Sequence, residues 1–295
     1  MHHTVRAVAV AVAAACLICH APAVVGAEAP LRLAVSVPPL AWFAERLAGP
    51  DALITTALPP GSSPASYDPT PRQAMVLLEV DLFVAVGVPM ESALLPALRR
   101  SDGGPRICDL GAAVDRLPAP EHHGHDHGDL DPHTWLSPSR AAVMADALAS
   151  AIIELRPDQA EAVAARLAMV HEELDALANF AKEQLDGPRR PLLVQHPAYG
   201  YLAADYDLDV LTIERAGMAP TPAHLGRVLQ EARDRGATAL VVQPQFADGQ
   251  VLKAARALGL DIVELDPLAA DYPDAMRRLI AAVAKLTAPS AEHKP

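Results

Sequence analysis

The chain has 295 residues, of which 51% are hydrophobic and 20% are charged, a balance typical of a folded globular protein and not of a disordered one. Acidic residues outnumber basic ones by 36 to 24, and the net charge of −12 excludes a surface suited to nucleic acid. The length allows one large or two medium domains, and the 28 prolines exclude a fibrous or coiled-coil protein.

Residues 1–27 are predicted to be a secretory signal peptide. Arg6 supplies a short positive segment, and the apolar run that follows is shorter than the roughly 20 residues that span a bilayer. Small residues before Ala27 indicate cleavage near that position. We therefore expect an exported protein.

Two segments of the chain alternate short apolar runs with helical patterns, which predicts βα units and mostly parallel sheets. The first segment, residues 28–156, has predicted strands at 31–37, 52–58, 82–86 and 106–110 and helices at 40–48, 72–79, 92–99 and 139–155. The second, residues 188–295, has predicted strands at 192–195, 210–213, 240–243 and 262–265 and helices at 199–206, 222–235, 249–258 and 275–286.

Residues 157–187 join these two lobes as one long helical pattern. Pro157 is typical of a helix first turn, and apolar residues recur at helical spacing from Val163 to Leu177. About 28 helical residues would span roughly 42 Å, enough to run along both lobes. The alternative is two helices broken near Asn179. The predicted fold is thus α/β, with two lobes bridged by one long rigid helix.

The histidines of the chain predict metal binding. Five of the twelve fall between Glu121 and His133, and the glycines and charges among them predict an exposed loop at residues 119–130. Imidazoles with interleaved aspartates form a loose site for metals such as zinc, although an accidental polar loop would have the same composition.

Three further residues stand where a rigid site is expected. His133 directly precedes a long helix, whereas His196 and Asp266 each follow an apolar strand. In open α/β sheets, ligands bind beyond the carboxyl ends of the strands. We therefore predict that these three side chains converge on a metal ion in a cleft between the lobes.

Five motifs occur along the chain in a fixed order. They are GSSPASYDPTP from Gly61, DPHTWLSP from Asp131, HPAYGY from His196, VQPQF from Val242 and LDPL from Leu265. Together with the histidine-rich loop and the long central helix, they resemble the zinc- and manganese-binding proteins of bacterial ABC importers, the ZnuA-like family. The resemblance implies two α/β lobes with one metal ion held between them by three histidines and one carboxylate. By position, His133 and His196 match two of these histidines, and Asp266 matches the carboxylate.

The remaining histidine of the family pattern has no counterpart, because Ala65 stands at that position. Zinc normally takes four ligands, so water or another side chain must complete the site. Tyr67 and Asp68 are weak candidates. The stronger candidates are the loop imidazoles a few residues before His133, which are His122, His123, His125 and His127.

Several functions are consistent with these residues. Imidazole ligands favour Zn²⁺ over Mn²⁺, although manganese or another divalent ion stays open. A zinc hydrolase is the opposing class, since three protein ligands and an open coordination position define a catalytic zinc site. The general base of such an enzyme could only be Glu214, which nothing in the sequence distinguishes from a solvated loop residue. A metal carrier or an adhesin is a third class. We expect a monomeric, non-enzymatic periplasmic protein that delivers zinc to the permease of an ABC importer, with a periplasmic metallochaperone as a further partner.

Overall fold

The computed structural model describes residues 29–119, 130–214, 219–246 and 249–289. The predicted signal peptide at residues 1–27 lies outside the described residues. So do the four loop histidines His122, His123, His125 and His127.

The first lobe is a parallel sheet flanked by helices. Its strands are β1 (Arg32–Val35), β2 (Leu53–Thr56), β3 (Leu82–Ala85) and β4 (Arg106–Asp109), and its helices are α1 (Pro39–Ala48), α2 (Pro71–Leu77), α3 (Glu91–Arg100) and α4 (Pro138–Leu155). The strand order is β2-β1-β3-β4, and Leu33 of β1 lies in register with Ile54 on one side and Leu82 on the other. The two central strands are almost wholly apolar, as expected where helices cover both faces of a sheet.

A single long helix, α5 (Ala160–Leu185), follows a 3-10 turn at Pro157–Gln159. Its 26 residues correspond to about 39 Å. The helix is continuous through Asn179, so the alternative of two broken helices is wrong. It packs against α1 and α4 of the first lobe.

The second lobe repeats the topology of the first. Its strands are β5 (Leu192–Val194), β6 (Val210–Thr212), β7 (Ala239–Val242) and β8 (Asp261–Glu264), and its helices are α6 (Gly200–Tyr206), α7 (Pro222–Asp234), α8 (Gly249–Ala257) and α9 (Tyr272–Thr287). The parallel strand order is β6-β5-β7-β8, which is the order of the first lobe. The carboxyl ends of all four strands therefore lie along one edge of the sheet.

The main apolar core extends through both lobes. It includes β1 and β3, the buried face of α5, and Ile280 and Val283 of α9, which also packs on α5. Strand β5 is shared: Val194 faces this core, whereas Leu193 faces a smaller core between the second sheet and helices α7 and α8. The long helix thus joins the lobes by apolar packing along its length.

Aromatic side chains add contacts between the lobes. Tyr272 of α9 packs against Trp42 and Phe43 of α1, with ring centroids 5.5 and 4.9 Å apart. Its hydroxyl donates a hydrogen bond to the carbonyl oxygen of Trp135 over 2.6 Å. Among the helices that the structure describes, none combines the length and hydrophobicity needed to cross a bilayer.

Candidate metal centre

His133 is oriented by the aspartate that precedes it by two residues. Asp131 Oδ1 accepts hydrogen bonds from the backbone N of His133 over 2.9 Å and from its Nδ1 over 2.7 Å. The first of these contacts is an Asx turn, which fixes the backbone between the two residues. Because Nδ1 is the donor to a carboxylate, the Nε2 of His133 keeps its lone pair for a metal ion.

Asp131 is itself held from both lobes. Only 2% of the residue is exposed, and its carbonyl oxygen accepts hydrogen bonds from the Tyr201 hydroxyl of α6 over 2.6 Å and from Arg116 Nε over 3.3 Å. A Cβ at Gly200 would lie 2.8 Å from Asp131 Oδ2, so only glycine permits this approach of α6. The orientation of His133 therefore depends on the second lobe as well as the first.

His196 is oriented in the same way by a carboxylate from a neighbouring strand end. Its Nδ1 lies 2.7 Å from Oε2 of Glu214, which follows β6 and is 11% exposed. The interpretation of Glu214 as a solvated loop residue is therefore wrong. The ring of Phe246 stacks on the other side of the imidazole, with centroids 4.4 Å apart and planes 11° apart. Burial lowers the pKa of His196, which favours the neutral imidazole that binds metals.

The two imidazoles face each other across the junction of the lobes. The ring centroids of His133 and His196 are 5.4 Å apart, with an interplanar angle of 76°. Each ring has its Nδ1 engaged by its own carboxylate, and among the described residues no hydrogen bond occupies either Nε2. One ion with zinc–nitrogen bonds of about 2.0–2.1 Å to both rings requires the two Nε2 atoms to lie within roughly 4 Å of each other.

Asp266 stands at the end of β8, on the wall of a cavity of about 610 Å³ that also borders Gly61 and Gln73 of the first lobe. It is linked to His196 through the 3-10 turn Pro244–Phe246, since Gln245 donates to Asp266 Oδ1 over 3.1 Å. Within the described residues, no three His, Cys, Asp or Glu side chains lie close enough together to hold a metal ion. The structure thus brings the two histidines together, and the role of Asp266 as a ligand stays a prediction.

Position 65, where the family pattern has a histidine, and the residues after it differ in their exposure. Ala65 is exposed, and its backbone N donates a hydrogen bond to Ser63 Oγ over 3.2 Å. Asp68 is also exposed, whereas Tyr67 packs against the main core. An exposed position at Ala65 leaves room for a larger side chain.

Two functional contacts were not predicted. The contact of Asp131 with His133 has a local signal, because an aspartate followed by proline favours an Asx turn that aims its carboxylate two residues ahead. The contact of Glu214 with His196 has no such signal, because 18 residues separate the pair and only the parallel pairing of β5 with β6 brings them together.

The family model described as zinc-uptake complex component A, periplasmic (ZnuA), matches residues 33–286. This chain belongs to that family. The resemblance read from the sequence motifs is therefore confirmed, as is the predicted fold of two parallel-sheet α/β lobes with a long helix.

Among its relatives, the chain is 28% identical over 205 residues to the zinc-binding lipoprotein AdcA of Streptococcus pneumoniae, covering 66% of this chain and 40% of AdcA. It is 23% identical over 237 residues to the manganese-binding lipoprotein MntA of Halalkalibacterium halodurans, covering 79% of this chain and 77% of MntA. A crystal structure of ZnuA superposes with a TM-score of 0.82 at 27% identity, covering 88% of this chain and all of the other. The match to AdcA spans about two fifths of that relative's length.

Proposed function

We propose that this chain is a periplasmic binding protein that takes up one divalent metal ion, zinc in preference, and delivers it to the permease of an ABC importer. The observation that carries the proposal is the facing pair of His133 and His196, each with its Nδ1 on a buried or nearly buried carboxylate. A carboxylate at Nδ1 fixes the tautomer of a ligating histidine and makes its Nε2 more basic.

The choice of zinc follows from the chemistry of the donors. Two imidazoles and the carboxylate of Asp266 would give a site with two nitrogen ligands, whereas manganese favours oxygen ligands. A water molecule or a loop histidine would complete the coordination, and the loop candidates are His122, His123, His125 and His127. Manganese remains the second candidate, because the family includes a relative named for manganese binding.

A binding role is favoured over hydrolysis by the contacts of Glu214. Its Oε2 is engaged by His196 Nδ1 at 2.7 Å, and its Oε1 accepts a hydrogen bond from Gln195 Nε2 over 3.3 Å. A general base needs a carboxylate free to take a proton from water, whereas this one is committed to orienting an imidazole.

The location of the protein and its partners are inferred from the predicted signal peptide and from the family. Export with cleavage near Ala27 would release the chain into the periplasm as a monomer. The permease of the importer is the expected partner, with a periplasmic metallochaperone as a further partner.

Zinc titration of the purified protein tests the proposal. The parent chain should bind one zinc ion tightly, and His133→Ala and His196→Ala should each abolish stoichiometric binding at the cleft. His171→Ala is the matched control, because His171 pairs with Asp146 on the surface, away from the facing imidazoles. Unchanged zinc affinity in His196→Ala would contradict the proposed site.

A further inference from the structure

Asp266 is held by hydrogen bonds at one of its two carboxylate oxygens. Its Oδ1 accepts from Gln245 Nε2 over 3.1 Å and from the backbone N of Leu268 over 2.9 Å. A carboxylate oxygen offers about two lone-pair sites, so these two donors occupy Oδ1. Within the described residues, both hydrogen bonds to this side chain go to Oδ1, which leaves Oδ2 for a metal ion.

Gln245 lies in the 3-10 turn Pro244–Phe246, which is fixed relative to His196. The next residue, Phe246, stacks on the His196 ring, and its carbonyl oxygen accepts a hydrogen bond from Gln195 Nε2 over 2.5 Å. Gln195 is buried at the end of β5, directly before His196. The turn therefore sets the position of the Gln245 amide against the same strand end that carries one of the proposed ligands.

The geometry points to Gln245 as a determinant of metal selectivity, because it restricts Asp266 to a single ligating oxygen. The inference rests on the proposed function, since it takes Asp266 as a metal ligand. One carboxylate oxygen and two imidazoles make three bonds, which suits the four-coordinate geometry of zinc. Manganese favours six-coordinate, oxygen-rich sites, and it would gain a bond from the second oxygen of Asp266.

Gln245→Met in the full chain tests this role, because methionine has a similar length and no N–H donor. The dissociation constants of Zn²⁺ and Mn²⁺ are measured by competition with a fluorescent chelator at neutral pH. We expect the ratio of the manganese constant to the zinc constant to fall by about 10-fold or more, the size of effect typical of groups that orient metal ligands. Gln245→Asn, whose shorter amide should not reach Oδ1, is expected to shift the ratio in the same direction.

Gln230→Met is the matched control. Its Nε2 also donates to an aspartate, Asp234 Oδ1 over 2.8 Å, but on the exposed surface of α7. The same loss of an amide–carboxylate hydrogen bond there should leave both dissociation constants unchanged.

Circular dichroism confirms that each variant is folded before its metal affinities are compared. An unchanged ratio in both Gln245 variants, with one zinc ion still bound, would overturn the inference while leaving the proposed function intact. A parent chain that binds neither metal stoichiometrically would instead overturn the proposed function, and the inference with it.

Discussion

The indole Nε1 of Trp135 donates a hydrogen bond to the carbonyl oxygen of Pro267 over 2.9 Å. Trp135 is fully buried and lies two residues after His133, whereas Pro267 directly follows Asp266. The bond therefore ties together the neighbours of two proposed ligands from different lobes. Separating the lobes would break this buried hydrogen bond, whose net contribution to stability is about 0.5–1.5 kcal/mol.

We expect metal binding to change the geometry of the lobes little. The Trp135 bond, the packing of Tyr272 on α1 and the continuous helix α5 all resist the wide hinge closure of receptors whose lobes are joined by flexible strands. X-ray scattering curves of the apo and zinc-loaded protein should nearly superpose. A clear decrease in the radius of gyration on loading would contradict this expectation.

Glu214→Gln should weaken zinc binding by about 10- to 100-fold. Glutamine has nearly the same shape, but its neutral amide no longer raises the basicity of His196 through the Nδ1 contact of 2.7 Å. The affinity is measured by chelator competition, with thermal unfolding of the apo protein to check that the fold is retained. Glu231→Gln, a change of a partly exposed residue on α7, is the control and should have no effect on affinity.

The outline of the fold was predictable from the sequence, because its strands are short apolar runs and its helices have clear apolar faces. The predicted last helix at 275–286 begins earlier, at Tyr272, because Pro273 is tolerated in a helix first turn and does not end the helix. Asp131-Pro132 and Asp266-Pro267 are the same local motif, in which the aspartate side chain accepts from the backbone two residues ahead.

What could not be predicted is where these side chains point in three dimensions. The first aspartate directs its carboxylate to an imidazole of its own turn, whereas Asp266 is held by Gln245 from a different strand connection. The contact of Gln245 with Asp266 depends on the order of the strands in the sheet, and local residue patterns do not encode that order.

Ala65→His should supply the histidine that the family pattern expects and this chain lacks. If a loop histidine is the fourth ligand, deleting residues 122–127 should weaken binding at the cleft sharply, by about an order of magnitude or more. Adding Ala65→His to the deleted chain should then restore the affinity, because a fourth imidazole closes the zinc site.

Zinc competition titrations of the parent, the deletion and the double variant make this comparison. If the deletion leaves the affinity of the tight site unchanged, the fourth position is filled by water or by Asp68, and the loop only collects metal.

Glu91 should give the apo protein a component of stability that is lost as pH rises. The residue is 2% exposed, and burial raises the pKa of its carboxyl above the ordinary value of 4.5, despite hydrogen bonds from the backbone N of Val86 and Gly87. In the folded state the group therefore holds its proton to a higher pH than in the unfolded state. Its contribution is fully present below pH 4.5 and decreases as pH rises through the folded-state pKa.

Denaturant unfolding of the apo protein across this pH range measures the effect. Glu91→Gln has no carboxyl to titrate, so its free energy of unfolding should lack this downward component with rising pH. The same pH slope in the parent and in Glu91→Gln would show that Glu91 titrates alike in the folded and unfolded states.

The residues on either side of the histidine-rich segment 119–130 are held together by hydrogen bonds. Pro118 and Leu130 form an antiparallel bridge, and the Tyr201 hydroxyl joins the backbone N of Leu117 to the carbonyl oxygen of Asp131. With its ends held in this way, the chain between them can gain or lose residues at little cost, since doubling the length of a loop costs only about 0.6 kcal/mol. The length and histidine content of this segment can therefore vary while the position of His133 stays the same.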